Sequence, residues 1–137
     1  MDWAQIVPVT DNNEVVLIRQ YRHGSGELSL EIPAGLIDEG EAPIDAAARE
    51  CMEETGYAVD GIQPLCVLRP NPALFLNYLH VFVAFGVQKV AEALQSPTEH
   101  TEVELVPVSG IADLLKQGVI DHALDTAVLW RFVHEYA

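Results

Sequence analysis

The chain has 137 residues, half of them apolar and 20% charged, which excludes disorder as its main state and is enough for one compact domain, read as spanning 1–137. With 7 basic against 21 acidic side chains the formal net charge is −14, which argues against a nucleic-acid surface, because neutralising phosphates needs clustered Lys and Arg. A small phosphorylated ligand stays open if a metal ion bridges the two negative partners.

No apolar run is long enough to span a bilayer, and Met1-Asp2-Trp3-Ala4-Gln5 lacks the basic and apolar regions of a signal peptide. A soluble, cytoplasmic protein without a membrane partner is expected. Cys51 and Cys66 form neither a metal-ligand spacing nor a disulfide framework and read as buried thiols in apolar contexts.

In chain order, Gln5–Val9 and Glu14–Ile18 read as strands around the turn-rich Thr10-Asp11-Asn12-Asn13. A further strand is expected near Leu28–Ile32. Pro43 to Thr55 reads as a helix, with Pro43 in its first turn and Gly56 as its stop. Ile62–Leu68, Leu79–Phe85 and Val103–Val108 read as strands, Pro107 marking the last as a sheet edge or a strand end. A short helix near Ile111–Gln117 and a longer one from about His122 to Tyr136 follow. The longer one carries a broad apolar face of Ala123, Ala127, Leu129, Trp130 and Val133. The irregular alternation predicts an α+β fold with a mixed sheet and helices on its faces.

The helix over 43–55 carries the chemistry. At 100° per residue, Ile44, Ala47, Ala48, Cys51 and Thr55 fall within an arc of about 100° and form a small-residue stripe against the sheet, while Glu50, Glu53 and Glu54 share another flank within a similar arc. Like charges at these spacings destabilise a helix by roughly 0.2–0.5 kcal/mol per pair, and Glu53 and Glu54 lie at its C-terminal end, unfavourable for anions. A solvated acidic face is one reading. A divalent cation is the other, since Mg²⁺ takes oxygen ligands and keeps positions for water and phosphate. Arg49 is placed to hold one of these carboxylates by a forked bond, and Glu41 to orient Arg49.

Gly35, five residues, Glu41, seven residues, then Arg49-Glu50-Cys51-Met52-Glu53-Glu54-Thr55-Gly56-Tyr57 resembles the Nudix box at all seven of its fixed-identity positions. Cys51 and Tyr57 stand where bulky aliphatics are usual. The resemblance implies an α/β/α sandwich with a mixed sheet, the box forming a loop–helix–loop, and Mg²⁺- or Mn²⁺-dependent hydrolysis of a nucleoside diphosphate linked to another moiety. It implies Glu50 and Glu54 as principal metal ligands, Glu53 as a further ligand or the group positioning the attacking water, and the Ala34 carbonyl completing the shell.

Arg19-Gln20-Tyr21-Arg22-His23-Gly24 with Glu31-Ile32-Pro33-Ala34-Gly35 is similar to the ADP-ribose pyrophosphatase branch, as is Thr98-Glu99-His100-Thr101-Glu102-Val103. There Glu99 best matches a loop carboxylate acting as general base, with Glu102 as competitor. Asp2-Trp3 and Asn71-Pro72-Ala73…Asn77…His80 are similar to a further set of bacterial members. The expectation is a homodimer that hydrolyses ADP-ribose or a related nucleotide sugar, with Arg49, Glu53, Glu54 and Glu99 catalytic. Arg22 would contact the diphosphate or a base, and Asp38 would accept from a ribose hydroxyl. Hydrolysis of other nucleotides and a nucleotide-sugar-binding module without turnover remain as alternatives. Trp3 reads as half-buried or stacking on a base, and His80 as a core histidine.

Overall fold

The computed structural model describes residues 1–95 and 100–137. The strands are β1 (Trp3–Thr10), β2 (Glu14–Arg22), β3 (Glu27–Glu31), β4 (Ala34–Leu36), β5 (Tyr57–Ala58), β6 (Gln63–Leu68), β7 (Leu79–Lys89) and β8 (Thr101–Pro107); the helices are α1 (Pro43–Thr55), α2 (Val108–Lys116) and α3 (Ala123–Tyr136). They build a mixed sheet in which β3, β2, β1, β7 and β5 lie side by side, while β4 pairs with β1, β6 with β7 and β8 with β2. Among the described residues only β1 and β7 run parallel, in register Ile6 to Phe82; the other pairs are antiparallel. As expected of Pro107, β8 pairs, among the described residues, with β2 alone and ends there.

Strand alternation makes the two layers. Ala4 and Ile6 of β1, Val16 of β2, and Phe82 and Ala84 of β7 pack with Ala46, Ala47 and Cys51 of α1. Val7 and Val9, Val15 and Leu17, and Val81 and Val83 face the other way, onto Ile111 and Leu115 of α2 and Val128, Leu129 and Phe132 of α3. Both faces of the central strands are covered, which is why they read as unbroken apolar runs rather than alternating ones.

Both helix faces differ from the sequence reading. In α1 the buried residues are Ala46, Ala47, Cys51 and Thr55; Ile44 is exposed and Ala48 only partly covered. Ile44 sits in the first turn, beyond the sheet, so Ala46 takes the central position. In α3 the buried face is Asp125, Val128, Leu129 and Phe132, whereas Ala123, Ala127 and Trp130 are exposed. That spacing is an ordinary i, i+3, i+4, i+7 stripe with a carboxylate at its first place. Cys51, on the face of α1 turned to the sheet, is buried, but Cys66, on β6 where it pairs with β7, is only partly so.

Pro43 in the first turn and Gly56 in the left-handed conformation (φ 76°) bound α1 as its sequence signals predict. A side chain at Gly56 would also strike the Ala91 carbonyl, and the Val90 and Ala91 N–H groups both donate to the Gly56 carbonyl. The end of α1 is thereby tied to the chain leaving β7.

Candidate active site

One face of α1, the Ala34–Leu36 strand, the ends of β1–β3 and the start of α3 enclose a cleft of about 840 Å³. Glu50, Glu53 and Glu54 line it together with Ala34, Gly35, Asp38, Arg22, Trp3 and Gln5.

Glu50 lies directly against the Gly35 backbone: a Cβ at position 35 would occupy the place of its carboxylate. Glu54 Oε2 accepts the Ala34 N–H at 3.2 Å. Each of these carboxylates therefore presses on the loop whose Ala34 carbonyl the sequence nominated. Arg49 orders the helix flank. Its Nε and Nη2 donate to the two oxygens of Glu41 at 2.9 Å each, its Nη2 also to the Leu36 carbonyl at 3.0 Å, and its Nη1 to Glu50 at 2.8 Å and Glu53 at 3.4 Å. Glu41 in turn accepts the Asp38 N–H at 3.0 Å, closing the loop onto the helix. The Arg49 guanidinium holds the Glu41 carboxyl well below its ordinary range, at about 2, and Glu41 holds the Arg49 proton more firmly in return.

Glu50, Glu53 and Glu54 present hard oxygen donors at the cleft wall, with Arg49 bonded to the first two. That donor set suits Mg²⁺ or Mn²⁺, and Gly35 supplies the close backbone approach that a larger residue would block.

Arg22 reaches the cleft, and its Nε and Nη2 grip Glu31 at 2.8 and 2.6 Å. Burial pushes the Glu31 carboxyl up, but hydrogen bonds from Arg22 and Ser29 outweigh it and keep the group below its usual range. Asp38 lies 3.6 Å from Arg49 Nη2 and is 68% exposed at the cleft mouth. Glu102 is exposed on β8, 3.7 Å from His100, and does not line the cleft. Glu99 lies outside the described residues. Near it in sequence, Gln95 and Thr101 bond to each other twice, and Thr101 Oγ1 donates to the Glu54 carbonyl at 2.8 Å.

The structure gathers a second group that the sequence reading missed. Asp125, at the start of α3, is 1% exposed; its Oδ1 accepts from Gln5 Nε2 and its Oδ2 from the Ile32 N–H, both at 2.8 Å. Burial pushes its pKa up to about 6, against the pull of those bonds. Among the described residues, Glu31, His122 and Asp125 are the three titratable side chains whose ligand atoms lie within 4.8 Å of one another. The available signal was an acidic residue heading the apolar i, i+3, i+4, i+7 stripe of α3.

Asp2 and His80 also meet: His80 Nε2 lies 2.9 Å from Asp2 Oδ2, Asp2 Oδ1 accepts the Tyr78 N–H at 3.0 Å, and Asn77 Nδ2 donates to the Met1 carbonyl at 3.2 Å. His80 is thus a partly buried clamp on the chain start rather than a core histidine, since its ring nitrogen has a carboxylate to bind. Trp3, partly buried, lines the cleft beside it.

The model of the NUDIX domain matches residues 2–124. The chain is 32% identical over 111 residues to ADP-ribose pyrophosphatase of Bacillus subtilis, covering 81% of this chain and 59% of that one. It is 30% identical over 127 residues to ADP compounds hydrolase NudE of Escherichia coli, covering 93% of this chain and 67% of that one. A crystal structure of an ADP compounds hydrolase superposes with a TM-score of 0.87 at 28% identity, covering 98% of this chain and 71% of that one. The chain spans about half the length of other curated relatives it matches, such as the methanol dehydrogenase activator of Bacillus methanolicus, of which the match covers 48%.

Proposed function

The chain belongs to the Nudix family, and on that premise we propose that it hydrolyses the diphosphate linkage of a nucleoside diphosphate sugar, ADP-ribose first among them, to a nucleoside monophosphate and a sugar phosphate. The observation that carries this reading is the clustering of Glu50, Glu53 and Glu54 at one cleft against Gly35, with Arg49 bonded to Glu50 and Glu53. The names of the relatives support the substrate class.

In this reading Glu50, Glu53, Glu54 and the Ala34 carbonyl hold Mg²⁺ or Mn²⁺. When bound, the ion neutralises diphosphate oxygens and lowers the pKa of water. Arg49 is a positioning residue, fixing Glu50 and Glu53 so that their oxygens face the cleft. Arg22, itself fixed by Glu31, offers its remaining N–H to the diphosphate. Asp38, at the mouth, accepts from a ribose hydroxyl. Glu99 takes the proton from the attacking water, and Glu53 helps to orient that water. A cytoplasmic homodimer completes the reading, and sedimentation of the purified protein tests the dimer.

The function is tested with a panel of nucleoside diphosphate sugars, dinucleotides and nucleoside triphosphates in the presence of Mg²⁺, following phosphate-bearing products. Preferred hydrolysis of ADP-ribose is expected. Near-equal rates across the panel would contradict the ADP-ribose assignment, and binding without turnover would make the chain a nucleotide-sugar sensor.

A further inference from the structure

The far wall of the cleft holds a polar group whose bonding is incomplete. Gln5 is 3% exposed and lines the cleft, and its amide is pinned by Nε2 donating to Asp125 Oδ1. The flipped amide would set oxygen against carboxylate oxygen, so the assignment is forced. Its Oε1 is then a buried acceptor with no hydrogen-bond partner among the described residues. Such an atom carries the desolvation cost of an unmade bond, about 1–3 kcal/mol, unless something from the cleft donates to it.

The neighbours narrow what that donor is. Asp125 and Glu31 add buried carboxylate oxygens, while Arg22 and the half-exposed His122 add nitrogen atoms at the same wall. A ligand must donate to the amide and carboxylate oxygens and accept from the guanidinium beside them. A hydroxyl does both; an amino group only donates. A divalent ion would meet the Arg22 guanidinium already seated on Glu31.

Distance fits as well. Asp125 holds the Ile32 N–H and Glu54 holds the Ala34 N–H, two residues apart in one segment. Those amides are therefore separated by at most about 7 Å, a span that a diphosphate and the sugar attached to it bridge readily.

We propose that Gln5, Asp125 and His122 form a subsite for the vicinal hydroxyls of a sugar carried on the diphosphate, with Gln5 Oε1 accepting from one hydroxyl. This deepens the nucleotide-sugar reading and rests on it. The sugar is either the nucleoside ribose or the one beyond the second phosphate, and the test separates them.

The experiment compares ADP-ribose with two analogues, one deoxygenated in the nucleoside ribose and one in the distal ribose, on wild type and Gln5→Met. Wild type is expected to lose about tenfold or more in kcat/KM, mainly through KM, on at least one analogue, and the analogue that Gln5→Met no longer distinguishes from ADP-ribose names the sugar. Gln5→Met is expected to treat that analogue and ADP-ribose alike within about twofold. The wild-type comparison needs no variant, so a Gln5→Met protein that does not fold leaves the claim open to refutation. Calorimetric binding of the same three compounds reads the subsite should turnover be absent. Wild type handling all three compounds alike, while still hydrolysing ADP-ribose, overturns this subsite and leaves the proposed function standing. A Zn²⁺ equivalent bound by wild type and lost in His122→Ala, without hydroxyl discrimination, also overturns it.

Discussion

Glu50 packs its carboxylate onto the backbone of Gly35, in the space a β-carbon would fill. The loop and the helix of the box are thereby locked together at the wall of the cleft. The lock is made by the flexible end of a glutamate, so a methyl group at position 35 displaces Glu50 rather than the fold. Gly35→Ala is expected to cost about 1 kcal/mol of stability while lowering kcat/KM on the order of a hundredfold. Thermal melting and kinetics on the same preparation check the split.

Glu54 accepts the Ala34 N–H and belongs to the carboxylate cluster. Glu54→Gln preserves shape and removes charge. It is expected to lower turnover by roughly a hundredfold or more with the melting temperature nearly unchanged. Steady-state kinetics with saturating Mg²⁺ decide it; unchanged hydrolysis would remove the metal-holding role.

Arg49 bonds Glu41, Glu50, Glu53 and the Leu36 carbonyl through a planar fork that lysine cannot copy. Arg49→Lys is expected to raise the apparent Mg²⁺ requirement by about tenfold. The same change lets the Glu41 carboxyl rise from about 2 towards its ordinary value of 4.5, because its strongest partner is gone. The sign for stability follows. In wild type the Glu41 contribution is present above pH 4.5 and is lost as pH falls towards 2. Carboxyl-carbon NMR titration of both proteins reads the shift directly.

Asp125 has the opposite sign. Burial raises its pKa from 3.8 to about 6, so the folded chain binds more protons than the unfolded chain between those values. Its contribution to stability therefore falls as pH rises from 3.8 to 6 and stays low above. Denaturation from pH 4 to 7 in wild type and Asp125→Asn should show this slope in wild type and lose it in the variant.

Much of this was legible beforehand because the governing rules are local. Pro43 and Gly56 delimit α1, and the box spacing places Gly35, Glu41, Arg49 and the three glutamates in one motif. The apolar runs of β1, β2 and β7 mark the buried sheet. Long-range pairing was not legible. The strand Ala34–Leu36 exists because β1 pairs with it, and Tyr57–Ala58 because β7 does. The α3 face was misread because Asp125 looks like a surface residue until Gln5 and the Ile32 N–H, 120 and 93 residues away, are brought to it. The Glu31–Arg22 pair, nine residues apart, joins neighbouring strands whose register sets Glu27 opposite Arg22 and Ile18 opposite Glu31, so strand pairing alone does not reveal it.

In the proposed reading Glu50, Glu53 and Glu54 tolerate one another because a divalent ion belongs among them. Calorimetric titration of Mg²⁺ or Mn²⁺ into wild type, Glu50→Gln and Glu54→Gln tests it most directly. Saturable binding by wild type, weakened about tenfold or more in each variant, is the predicted result. Identical heats for all three proteins, or none at millimolar ion, would contradict the account.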